Sequence, residues 1–114
     1  MNQHLHLVTL GVRDFERSKK FYAETLGWKL SRPQEGIAFF QVGGVVLALF
    51  PRDELAKDAL VSPEGHGFAG IALAYNAQSE SEVDGIIRDL KAKGVKNHQR
   101  ATKGFLGWIQ FLFR

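Results

Sequence analysis

A chain of 114 residues, 45% of them hydrophobic, is long enough for one domain with a modest core, and the absence of cysteine excludes disulfides, thiolate metal sites and a cysteine nucleophile while fitting a reducing, cytoplasmic setting. With 15 Lys and Arg against 12 Asp and Glu the net charge is +3; the basic residues Lys91, Lys93, Lys96, Arg100 and Lys103 read as a solvated helix end and loop, and no nucleic-acid-binding motif accompanies them. No run reaches the ~18 apolar residues that span a bilayer, and the opening MNQHLHLV has neither the basic region nor the long apolar stretch of a signal peptide, so no membrane association is expected.

His4 and His6 come first. As i, i+2 residues they share one face of an extended segment. Two imidazoles so spaced are a start on a metal site, but a third and fourth ligand are needed to complete it; otherwise they are a solvent-facing pair. Val8, Leu10 and Val12 alternate with Thr9, Gly11 and Arg13, which predicts a strand. Asp14 stands where a short carboxylate can accept the free N–H groups of a first helical turn. Phe15, Tyr22 and Leu26, widened by Phe21 and Thr25, form the apolar stripe of a helix of about three turns, with Glu16, Arg17, Lys19 and Lys20 elsewhere on it. Gly27 is the expected left-handed stop, and Trp28 is expected to open a short strand that turns at Pro33. Ile37–Val42 reads as the next strand, Gly43-Gly44 as a two-residue hairpin turn, and Val45–Phe50, VVLALF, as a strand buried on both faces.

Residues 51–67 break the pattern. Asp53–Leu60 has room for one or two helical turns, Ser62-Pro63-Glu64-Gly65 is turn chemistry, and His66 between two glycines is expected to be an exposed loop residue or a polar group at a cleft mouth. Phe68–Tyr75 is predicted as a strand. Ser79 and Glu82 match a capping box, followed by Val83, Ile86, Ile87 and Leu90 at helical spacing, with Gly85 costing about 1 kcal/mol relative to alanine. Gly94 is the stop, and Val95 is expected to begin another strand. The order strand, helix, glycine, strand therefore occurs twice, an internal repeat of one β-α-β-β-β module.

Val12, Asp14, Ser18, Phe21, Tyr22, Leu26, Gly27 and Trp28, which make a strand, a V-x-D turn and a helix carrying S-x-x-F-Y and ending L-G-W, resemble the opening of the vicinal-oxygen-chelate superfamily. That superfamily includes glyoxalase I lyases, extradiol dioxygenases, fosfomycin-resistance transferases and bleomycin-resistance proteins. The resemblance covers nearly the whole chain. It implies an α+β fold of two βαβββ modules, with mixed and antiparallel sheets curled around a cleft: a single domain over residues 1–114, with module one at 4–50, a linker at 51–67 and module two, incomplete, at 68–114.

Metal-dependent members place ligands on three strand positions and on a glutamate of the last strand. Carried over residue by residue, those positions fall on Leu7, Ala48 and Gly70, and the fourth lies beyond Arg114. None of the three ligates through a side chain, and His6 is one residue off, on the other face. The resemblance thus implies the fold without the family's metal. If Leu7, Ala48 and Gly70 face inward, strand alternation also turns Thr9, Val46, Phe50, Phe68 and Ala72 inward, an apolar cleft of the kind that holds small molecules; the alternative is that these residues fill a packed core.

Where the resemblance implies two long final strands, the chain ends KGFLGWIQFLFR, with Trp108–Phe113 apolar enough for one. Codons exist for Gly104–Arg114 that, read one base later, give Val-Ser-Trp-Gly-Gly-Tyr-Ser-Phe-Phe-Phe, similar to a strand of relatives. A frameshifted end is therefore a hypothesis, which the DNA refutes if no single-base shift restores such a strand. A missing strand would leave an open edge that a homodimer covers.

The expected function is that of a glyoxalase/bleomycin-resistance-like protein binding a small, partly aromatic or cationic molecule, with no cofactor, no metal and no assigned catalytic residue. One alternative is a metal-dependent lyase or dioxygenase with His4 or His6 and His66 recruited as ligands. The other is a truncated product with a structural role only.

Overall fold

The computed structural model describes residues 1–32, 34–95 and 108–112. It is an α+β chain that divides into two compact units, Met1–Glu64 and Gly65–Arg114.

The first unit contains strands β1 (Leu7–Val12), β2 (Ala38–Val42) and β3 (Val45–Pro51), and helices α1 (Phe15–Lys20) and α2 (Arg52–Ala59). Its mixed sheet has the order β1-β3-β2, with β1 parallel and β2 antiparallel to β3. Burial drives this arrangement: Leu47, Ala48 and Leu49 are consecutive and all buried, as the unbroken apolar run VVLALF requires of a central strand. Gly43, at φ 68°, makes the tight β2–β3 turn.

Asp14 caps α1, its Oδ1 accepting from the Arg17 amide at 3.1 Å. The helix does not remain α-helical. Phe21–Thr25 form a π-helical turn, and the Trp28 amide then reaches back to the Tyr22 carbonyl at 2.9 Å across Gly27, which takes φ 74°. Tyr22 is the buried centre of this face, with its ring centroid 5.4 Å from that of Trp28 and 5.8 Å from that of Phe40. Burial pushes the Tyr22 phenol above its ordinary value of 10.

Trp28 does not open a strand. Only Leu30 makes a bridge, to Phe40, with the Ser31 amide bonded to the Phe39 carbonyl at 2.9 Å. The Trp28 ring packs on Tyr22 and Phe40, which fixes it as a core side chain ahead of the bridge rather than as the start of a ladder. Pro33, where the turn was expected, lies outside the described residues.

The segment after β3 is helical as expected and makes two turns. Leu60, at φ 57°, ends α2, and the Arg52 Nε donates to the Pro63 carbonyl at 2.8 Å, tying the chain after the helix back to its first residue. α2 packs on β1 and β3.

The second unit contains β4 (Ala72–Asn76), α3 (Glu80–Ala92) and β5 (Trp108–Leu112), with β4 and β5 antiparallel. Ser79 caps α3, its Oγ accepting from the Glu82 amide at 3.1 Å. The Glu82 carboxylate returns one residue further back than a standard capping box, accepting from the Gln78 amide at 2.7 Å and from the Tyr75 hydroxyl at 3.0 Å. Val83 and Leu90 are the buried residues of α3, and Gly94, at φ 81°, follows its end. The strand predicted from Phe68 begins only at Ala72: Gly70 sits at φ 79°, outside the extended region, and breaks the ladder before it starts. Val95 does not begin a strand, its amide instead bonding back to the Leu90 carbonyl at 3.0 Å; the rest of the strand expected there, with Lys96, Arg100 and Lys103, and Phe113 and Arg114 lie outside the described residues. Among those that are described, no helix is long and apolar enough to cross a membrane.

Candidate functional site

The register of the first sheet decides which of its residues share a face. Leu7 is opposite Val46, Thr9 opposite Ala48 and Gly11 opposite Phe50 across the parallel pair, while Phe39 is opposite Ala48 and Gln41 opposite Val46 across the antiparallel one. Paired residues point the same way and neighbours along a strand alternate. Leu7, Thr9, Val46, Ala48 and Phe50 therefore lie on one face, with Phe39 and Gln41. Val8, Leu10, Phe40, Leu47 and Leu49 lie on the other, where Phe40 meets the Tyr22 and Trp28 rings.

The first face is graded in exposure. Ala48 at its centre is fully buried, Thr9, Val46, Phe39 and Phe50 are half-buried, and Leu7 at one end is 47% exposed. α2 closes the opposite end. A Cβ built on Gly11 would stand 3.0 Å from Leu55 Cδ2 and 3.3 Å from the Arg52 Cα, so glycine is what lets the helix cross β1 this closely. Thr9 and Gln41 carry the polar side chains of the face, and the Gln41 Nε2 is engaged locally, donating to the Gly43 carbonyl at 2.8 Å. The surface is mostly apolar, with aromatic edges at Phe39 and Phe50 and a hydroxyl beside a fully buried alanine.

Phe39 and Gln41 are members of this face that the strand-by-strand sequence reading left out. The signal was present: a two-residue Gly43-Gly44 turn sets Val42 against Val45, and every later pair follows.

The remaining cleft candidates belong to the second unit. Phe68 is 74% exposed and Gly70 takes its left-handed conformation before β4, so strand alternation does not relate these two to Ala72, which opens the strand. His66 is an exposed residue of the loop ahead of them.

Leu7, Ala48 and Gly70, the residues on which the resemblance placed the superfamily's ligand positions, carry no side-chain donor. His6 is not a substitute for Leu7. It stands at a bend one residue ahead of β1, and its carbonyl accepts from the Val46 amide at 3.0 Å, the bond that closes the terminal Leu7–Val46 pair of the ladder. Among the described residues no three His, Cys, Asp or Glu side chains come together as a metal site. The donor set does not fit a tightly held divalent ion on this face, which carries one hydroxyl and one amide but no carboxylate, imidazole or thiolate.

The sequence profile of the Glyoxalase/Bleomycin resistance protein/Dioxygenase superfamily matches residues 4–114. The chain belongs to that superfamily. Among solved structures, a glyoxalase-related enzyme from Fulvimarina pelagi is 34% identical, with a TM-score of 0.70 over 80% of this chain and 65% of its own. A glyoxalase/bleomycin resistance protein/dioxygenase from Nocardioides is 27% identical, with a TM-score of 0.70 over 87% of this chain and 67% of its own. A lactoylglutathione lyase from Agrobacterium tumefaciens, at 24% identity and a TM-score of 0.66, shares the fold. The present superfamily member thus spans about two thirds of the length of the first two.

Proposed function

We propose that this superfamily member binds a small, partly aromatic molecule on the apolar face of its first sheet, without a metal ion and as a homodimer. The observation that carries the proposal is the composition of that face: Leu7, Thr9, Gly11, Phe39, Gln41, Val46, Ala48 and Phe50 supply aromatic and aliphatic contact area, one hydroxyl and one amide, with no carboxylate, imidazole or thiolate among them. Such surfaces gain affinity from apolar area and orientation from a few polar groups. Two features support a dimer: among the described residues β1 has a strand neighbour on one side only, and its exposed end carries Leu5 and Leu7. The lack of cysteine and of a candidate membrane-spanning helix among the described residues supports a cytoplasmic setting.

The test is a ligand screen in a buffer containing a chelator, read by intrinsic tryptophan fluorescence and by thermal shift. Saturable binding that survives the chelator and is weakened by Thr9→Val or Phe39→Ala supports the proposal. Binding or turnover that appears only when a divalent ion is restored overturns it.

A further inference from the structure

His4 and His6 take no part in the apolar face. Both are exposed, and their rings meet edge to face with centroids 4.4 Å apart and planes at 80°. The His6 carbonyl accepts from the Val46 amide at 3.0 Å, and the His4 amide makes a local turn with the Asn2 carbonyl at 2.8 Å. The first bond anchors His6 beside the central strand of the sheet, with His4 two residues before it. Leu5 between them is 71% exposed.

The separation of the two rings suits chelation. Two imidazoles bound to one ion at about 2.0–2.1 Å, with an angle near 90–110° between them, have ring centroids about 4.5–5.2 Å apart. The observed 4.4 Å lies within a few tenths of an ångström of that range. Exposed histidine rings change rotamer freely, so aiming one nitrogen of each ring at a shared point needs side-chain rotation without movement of the strand.

We propose that His4 and His6 form a two-nitrogen surface chelate for one divalent late transition-metal ion of the Zn²⁺, Ni²⁺ or Cu²⁺ class, with solvent filling its other positions. Imidazole is the ligand type these ions share, whereas Mg²⁺ and Ca²⁺ require oxygen. The site is separate from the apolar face: it is solvent-facing, it precedes β1, and it binds more weakly than a closed site of four protein ligands.

Calorimetric titration of Ni²⁺ into the untagged full chain at neutral pH tests the proposal. The variants are His4→Ala, His6→Ala and, as a control for any exposed histidine, His66→Ala, with circular dichroism confirming that each is folded. The expected result is saturable binding that each of the first two substitutions weakens by about 10²-fold, the low end of what linking two ligands yields, and that His66→Ala leaves unchanged. No binding by the unsubstituted chain overturns the proposal. So does loss in only one of the two variants, or an equal loss in His66→Ala. Mg²⁺ binding with similar affinity at the same residues also overturns the assignment of ion class.

Discussion

Phe39 and Phe40 are adjacent, identical in chemistry and on opposite faces of the same strand, which makes them a direct test of the register that defines the candidate site. Phe40 is fully buried, with its ring centroid 5.8 Å from that of Tyr22 and 6.3 Å from that of Trp28, and it sits opposite Leu47. Removing a ring from such a place loses its transfer free energy and leaves a cavity that the helix on one side and the sheet on the other cannot fully close, a cost of about 3–5 kcal/mol. Domains of this size are stable by only about 5–15 kcal/mol, so Phe40→Ala is expected to remove a large share of it or prevent folding. Phe39 is half-buried and faces the site, so Phe39→Ala forfeits part of one ring's burial and costs about 1–2 kcal/mol. Urea unfolding followed by far-UV circular dichroism separates the two: the midpoint falls by about 2–3 M for Phe40→Ala, or the transition is lost, and by about 1 M for Phe39→Ala. Ligand affinity moves the other way, with Phe39→Ala the variant that keeps its fold and loses binding. If Phe39→Ala destabilises as much as Phe40→Ala or more, the strand has slipped by one residue, and every assignment to the candidate face fails with it.

Other expected outcomes follow from single sites. Asp14→Ala removes the acceptor for the Arg17 amide and should cost about 1 kcal/mol, read as a lower urea midpoint, with Asp14→Asn retaining most of it. Thr9→Val keeps shape and should change stability by less than about 1 kcal/mol while weakening a ligand that uses the hydroxyl, on the order of the 1 kcal/mol of one hydrogen bond; a binding titration checks this. Burial raises the Tyr22 phenol above 10, so its contribution to stability is fully present below pH 10 and is lost as pH rises beyond it, by about 1.4 kcal/mol per pH unit, because the unfolded chain releases the proton first. Chemical denaturation across that alkaline window should show the decline, and Tyr22→Phe should flatten it.

Much of the first unit was legible because its local chemistry and its global packing agree. The alternation at Val8, Leu10 and Val12, the Asp14 cap, the left-handed Gly27, the Gly43-Gly44 turn and the run VVLALF each specify one conformation, and each is the conformation found. What was not legible depends on partners distant in sequence. The π-helical turn at Phe21–Thr25 gives way to the demand that Tyr22 pack against Trp28 and Phe40, which helical periodicity does not encode. Trp28 looked like a strand residue because aromatic residues favour strands, yet its ring is spent on the core and the ladder is reduced to a bridge at Leu30. Gly70 was read as a strand position because its neighbours are apolar, whereas its positive φ delays β4 to Ala72. Gly11 carried no visible signal as a close approach until α2 was seen to cross it. For the candidate site, the five residues of the first unit share a face because period-2 alternation and the hairpin register are sequence properties. How Phe68, Gly70 and Ala72 relate to one another turned on a backbone dihedral that composition does not reveal.

The central claim is that the site of this superfamily member works without a metal, and the most direct measurement is elemental mass spectrometry on the His4→Ala/His6→Ala double variant. The untagged protein would be incubated with Zn²⁺, Ni²⁺, Mn²⁺ or Fe²⁺ and then dialysed, with the surface pair removed so that it contributes nothing to the count. No stoichiometric ion is expected in any of the four samples. Retention of about one ion per chain would contradict metal-free binding.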